Sequence, residues 1–206
     1  MSAFPAGRGV RLLLAATIFL GAFLLFQVQP LIGKAILPWF GGGPAVWTTS
    51  MLFFQVLLLA GYAYAHASIR WLPRGAQFGL HAVLMAAALA MLPVLPGVEW
   101  RPTSSEAPQT RILLLLAASV GLPYFVLSAT APLVQAWHAR VFREEDAREP
   151  YALYAASNLG SLLALLAYPV LVEPNMDLIP RLKAARPRDT VLNVGLTLKT
   201  VEGLAA

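Results

Sequence analysis

The chain has 206 residues, of which 58% are apolar and 12% charged, whereas an ordinary soluble domain carries about 25% charged residues. With a mean hydropathy of +0.67, too little polar surface exists to cover a water-soluble fold, and lipid is the expected solvent. The sequence holds no cysteine, which excludes a disulfide scaffold, a thiolate zinc site and a cysteine nucleophile. The net charge of +5 is split into short clusters between apolar runs, with no basic-aromatic module, so nucleic acid is not an expected partner.

A membrane-crossing helix needs about twenty apolar residues, and roughly five such runs are present. They extend over 12–32, 46–66, 78–95, 112–137 and 151–172. The expected fold is therefore all-α: a polytopic transmembrane bundle of about five spans over residues 1–173, followed by a short non-helical, soluble or disordered tail over 174–206. The first run follows Arg8 and Arg11 and has no small-residue cleavage signal after it, so it is expected to stay as an anchor.

At the end of the first run, Gln27 and Lys34 lie seven residues apart and share a helical face, with Pro30 between them disfavouring a straight helix. A lysine there either snorkels to the headgroups or marks the anion-binding end of a broken helix. The following Pro38-Trp-Phe-Gly-Gly-Gly-Pro44 and Trp47 read as a turn flanked by membrane-belt indoles. It lacks the preceding strand and the Gly-Lys-Ser/Thr ending of a phosphate loop.

In the second run Gln55, Tyr62 and His66 fall within roughly twenty degrees of one face. This polar stripe is expected to hold helices together, with His66 as a possible proton sensor. The fourth contains Pro123 and Pro132, which should kink it, and places Tyr124, Ser128 and Gln135 on one face. Ser128 has no nucleophile elbow, and hydroxyls near proline are expected to satisfy the carbonyls it frees.

The loop Arg143-Glu-Glu-Asp-Ala-Arg-Glu149 mixes signs and reads as a solvated face, not a metal cage. In the fifth run Tyr151, Tyr154, Asn158, Ser161 and Tyr168 occupy an arc of about one hundred degrees, a face expected to meet protein. Asn158 is expected to hydrogen-bond to another span. Residues 190–201 could form a short strand, which alone cannot build a core.

Counting basic residues in alternate loops puts Arg8, Arg11, Arg70, Arg74, Arg140, Arg143 and Arg148 on one side, against Lys34, Arg101 and Arg111. The N-terminus is then expected in the cytoplasm. Five spans would send the tail outside, in conflict with its Arg181, Lys183, Arg186, Arg188 and Lys199.

The strings Gln29-Pro-Leu-Ile-Gly-Lys-Ala-Ile-Leu-Pro-Trp-Phe-Gly-Gly42, Pro44-Ala-Val-Trp-Thr-Thr49 and Met51 to His66 resemble the membrane portion of bacterial spermidine synthase-like integral membrane proteins. Pro123 to Trp137 and Pro150 to Pro169 resemble the same family, and the likeness covers about residues 12 to 175. Members of that family join a major-facilitator-like membrane part to a methyltransferase-like Rossmann domain. The strand, Gly-rich turn, helix and ribose-binding acid of such a domain are not found after the spans. The resemblance therefore implies a membrane module in a bacterial inner membrane, without aminopropyltransferase activity or cofactor of its own. Its partners would be the bilayer and a separate spermidine synthase-like catalytic domain. A small permease subunit for polyamines or other solutes, and a nonfunctional gene fragment, are the alternatives. The polar residues available to line a path in the membrane are Gln27, Lys34, Gln55, Tyr62, His66, Tyr124, Ser128, Asn158 and Ser161.

Overall fold

The computed structural model describes residues 8–94, 96–97, 100–102, 108–141 and 149–176, and they form an all-α fold without strands. Helix α1 covers Arg8–Ile36, and α2 covers Pro44–Trp71. Helix α3 covers Arg74–Ala90; α4 (Pro108–Leu116) and α5 (Leu122–Val141) are joined through a π-helical turn at Ala117–Gly121. Helix α6 (Glu149–Ala167) is followed by a second π turn at Tyr168–Val172 and by α7, Glu173–Met176.

Among the described residues, four stretches are long and apolar enough to cross a membrane: Gly9–Trp39, Pro44–Trp71, Pro108–Arg140 and Tyr151–Asn175. The fifth expected span is α3, whose 17 residues give about 25 Å at 1.5 Å per residue. That is slightly short of a hydrocarbon core of about 30 Å. Met91 to Val94 continue the chain outside any helix, so the apolar run 78–95 overshoots the helix end at Ala90, while the helix begins four residues earlier at Arg74.

The chain divides into two units, Met1–Leu165 and Leu166–Ala206. Within the first, α5 is the central helix. Its neighbours α2, α1 and α3 all pack on it, which explains why the buried side chains of this helix reach almost all round. Ile112, Leu115, Leu116, Val120 and Tyr124 join Ile32, Ile36 and Phe54 in the largest core cluster. In lipid, association of helices depends on close packing more than on apolar burial, and small residues provide it. A Cβ on Gly61 would come within 2.9 Å of Ser128 Cβ, and one on Gly33 within 2.8 Å of the Trp47 ring. A Cβ on Gly160 would run into the Phe19 carbonyl.

Two punctuation features set the helix ends. Gly41 and Gly42 both take positive φ, 84° and 68°, a conformation that side chains with a Cβ resist. The Gly42 amide returns to the Leu37 carbonyl at 3.0 Å, so α1 turns into α2 within a few residues. Pro30 does not break α1, which continues as helix to Ile36. The broken-helix expectation at Gln27–Lys34 is therefore corrected. The π turns instead adjoin the prolines at 123 and 169. Proline removes an amide from the helical ladder, and a wider turn is one way of accommodating the freed carbonyl.

In the second unit, the described residues are the end of α6, the second π turn and α7, where the expected boundary at 173/174 falls. Asn175 Nδ2 donates to the Leu171 carbonyl at 2.6 Å. The mixed-charge loop at 143–148, the basic tail and the possible strand at 190–201 lie outside the described residues.

Candidate functional site

The polar side chains inside the first unit form two groups, one on each side of α5. The first joins α1 to α5 and α6. Gln27 is buried, and its Nε2 donates to the Ala164 carbonyl of α6 at 2.9 Å. Half a turn further on, Gln29 Nε2 donates to Tyr124 Oη at 2.6 Å. Tyr124 is fully buried and its ring lies 4.9 Å from that of Phe54. The oxygen Gln27 Oε1 is buried and accepts no hydrogen bond among the described residues.

The second group lies between α2, α3 and α5. Gln77, near the start of α3, is 1% exposed. Its Oε1 accepts from Trp137 Nε1 at 3.1 Å and from Arg140 at 3.4 Å, while its Nε2 donates to the Leu72 carbonyl at 2.7 Å. A second guanidinium nitrogen of Arg140 donates to the Ile69 carbonyl at 3.2 Å. One turn along α3, His81 Nε2 meets Thr130 Oγ1 at 3.2 Å. Thr130 spends its proton on the Val126 carbonyl at 2.7 Å, so His81 must donate from Nε2. That leaves His81 Nδ1 a buried acceptor without a partner among the described residues, as is the Tyr64 hydroxyl, on a ring 6.2 Å away.

Of the residues expected to line a path, Gln27, Tyr124 and Ser128 are buried within the bundle. Tyr124 and Ser128 sit on one face as their spacing requires, and Ser128 Oγ packs against the backbone of α2 at Gly61. Its hydroxyl donates to the Phe125 carbonyl at 2.7 Å. Pro132 frees the Ser128 carbonyl, four residues before it, and neither Ser128 nor Thr130 donates there. The expected rescue of that carbonyl by neighbouring hydroxyls is thus corrected: both bond to carbonyls of the preceding turn. Lys34 is half-buried in the last turn of α1.

Gln55, Tyr62 and His66 do share a face, and that face is exposed. Among the described residues they do not tie helices together, because α2 turns a different face, with Phe54, Gly61, Ala65 and Ser68, inward. Asn158 is likewise exposed and bonds to no other span among the described residues; its backbone carbonyl accepts from Ser161 Oγ at 2.9 Å. Tyr151 and Tyr154 are 76% and 64% exposed. The inward face of α6 consists instead of Leu153, Gly160 and Ala164. Small residues win this choice because only they let the helix backbones approach, and polarity alone is a weaker guide.

Sequence reasoning missed Gln77, His81, Thr130 and Gln29. A usable signal existed for Gln77 and His81, which are four residues apart in an otherwise apolar helix and so share a face. Among the described residues no group of three His, Cys, Asp or Glu is placed to hold a metal ion. Between Arg8 and Val141 the sequence contains only two acids, Glu99 and Glu106, and both lie outside the described residues.

The helix directions sort the cations by end. Contacts of α5 with α1 and α3 are antiparallel and with α2 parallel, as Gln29–Tyr124, Gln77–Trp137 and Ile69–Arg140 show. Arg11, Arg70, Arg74 and Arg140 therefore belong to one end of the bundle. Lys34, Arg101 and Arg111 belong to the other, where Arg101 stacks 5.3 Å from the Trp39 ring and Arg111 donates to the Arg101 carbonyl at 3.1 Å. Compared with known protein families, curated proteins and solved structures, the chain matches none.

Proposed function

We propose that this chain is a multi-pass membrane module that acts as a scaffold, of the kind found in the membrane half of spermidine synthase-like proteins, and that it holds a separate catalytic domain at a bacterial inner membrane. The observation that carries this reading is how the buried polar groups are used. Gln27, Gln29, Gln77, Ser128, Thr130 and Arg140 are engaged in bonds that fix helix to helix or close a helical turn. A rigid bundle of this type suits anchoring. The excess of cations at the end with Arg11, Arg70, Arg74 and Arg140 supports a cytoplasmic position for it.

Two measurements test this. Purified chain supplied with decarboxylated S-adenosylmethionine and a diamine should give no aminopropyl transfer above a protein-free control; transfer would overturn the scaffold reading. Reporter fusions after Trp71 and after Pro102 should report cytoplasm and exterior, respectively, and the reverse pattern would overturn the orientation.

The permease alternative has weaker support for polyamines in particular. A polyamine is a multiple cation, and a path for it calls for carboxylates or aromatic cages. The helices from α1 to α5 contain no acid. Uptake of labelled spermidine by proteoliposomes would nevertheless establish that alternative directly.

A further inference from the structure

At the cation-rich end, α3 and α5 frame an open cleft of about 200 Å³ lined by Arg74, Phe78, Trp137 and Arg140. Each wall repeats one motif. Arg74 and Phe78 are four apart on α3 and Trp137 and Arg140 three apart on α5, so each helix offers a guanidinium and an aromatic ring on one face. The two rings meet at 6.0 Å between centroids. The walls are held by the buried Gln77, whose single Oε1 receives both Trp137 and Arg140. Arg140 is further tied to the end of α2 through the Ile69 carbonyl. Its guanidinium has five N–H donors, and two of them are used in these bonds. Arg74 makes no hydrogen bond or ion pair among the described residues and is exposed. Two guanidiniums facing one cleft repel each other unless an anion lies between them.

We propose that this cleft binds a phosphate-bearing anion, supplied as the headgroup of an anionic phospholipid. Guanidinium forks match phosphate oxygens in charge and in geometry. The cleft is open on one side, so a headgroup that stays attached to its lipid can enter it. Phe78, 66% exposed, and Trp137 provide the amphipathic belt surface along which the upper acyl chain can lie. The cleft stands at the end that the cation excess assigns to the leaflet interface, where each basic side chain adds about 1 kcal/mol of attraction to anionic lipid. This inference depends on membrane embedding and not on the scaffold reading.

The test uses the full chain in neutral detergent with phosphatidylglycerol, phosphatidylcholine or inorganic phosphate added in separate samples. Native mass spectrometry reads retained lipid, and thermal melting reads stabilisation. The expected result is about a tenfold preference for phosphatidylglycerol over phosphatidylcholine, falling about fivefold in Arg74→Gln. Arg70→Gln, which removes an exposed cation at the same end but outside the cleft, should leave retention unchanged. Equal retention of the two lipids by the natural chain overturns the proposal without recourse to any variant. Equal losses in Arg70→Gln and Arg74→Gln also overturn it, because they reduce the effect to general surface charge. Stabilisation by inorganic phosphate as large as that by the lipid supports phosphate recognition and assigns its source to solution.

Discussion

Gln29 and Tyr124, 95 residues apart in the chain, meet through a 2.6 Å hydrogen bond that links α1 to the first turn of the central α5. Tyr124 is fully buried and packs on Phe54 of α2, so this one side chain registers three helices. Tyr124→Phe keeps the ring and removes the acceptor, and should cost about 1–2 kcal/mol, since a part-buried amide is left without its partner. Pairing it with Gln29→Leu should recover part of that loss. Detergent melting of the two single variants and the double variant measures the coupling.

The contact of Gly61 with Ser128 predicts a steric effect of similar size and different origin. Gly61→Ala places a methyl group 2.9 Å from Ser128 Cβ and 3.1 Å from the Phe125 carbonyl, and should destabilise by about 1–3 kcal/mol through overpacking. Ser128→Gly in the same chain opens the space again, so the double variant should be more stable than the sum of the single effects implies. A thermodynamic cycle of melting curves tests this.

Asn158 and Gly160 are two residues apart on α6 and should behave oppositely. Asn158→Leu changes an exposed face and should alter the stability of the isolated chain by no more than about 0.5 kcal/mol. Gly160→Leu drives a side chain into the Phe19 backbone of α1 and should abolish the α1–α6 pairing. Crosslinking between cysteines introduced at Ile18 and Leu153, which share a core cluster, should persist in the first variant and disappear in the second.

Gln77→Leu removes the common acceptor of Trp137 and Arg140. An unpaired buried donor costs about 1–3 kcal/mol, and two donors depend on this oxygen. The variant should therefore lose more stability than Arg74→Gln, which breaks no bond among the described residues. Comparing their melting temperatures in lipid-free detergent separates the walls of the cleft from its charge.

The run lengths made the helical class legible, because a stretch of twenty apolar residues has few alternatives. The spacing rules also placed residues correctly on shared faces: Gln55 with Tyr62 and His66, and Tyr124 with Ser128. What spacing could not supply was the direction in which each face points. On α2 and α6 the conspicuous polar stripes look outward, while Gly61 and Gly160 decide the contacts. Polarity in a membrane helix shows where a partner is wanted; a missing Cβ shows where one fits. The α3 residues Gln77 and His81 were overlooked because their helix is the shortest of the five expected spans and shows no polar stripe beyond these two.

The bond from Gln27 to the Ala164 carbonyl joins the first long helix to the last across 137 residues. At a synthesis rate of 5–20 residues per second, that acceptor emerges roughly 7 to 27 s after its donor. During this interval α1 is already in place with a carboxamide facing a groove that α6 has not yet filled. The tight Gly41–Gly42 turn lets α1 and α2 enter the bilayer as a hairpin early, whereas α1 is completed only when α6 arrives. Assembly therefore finishes at its beginning, and until then the insertion machinery, or another transient polar neighbour, must shelter Gln27.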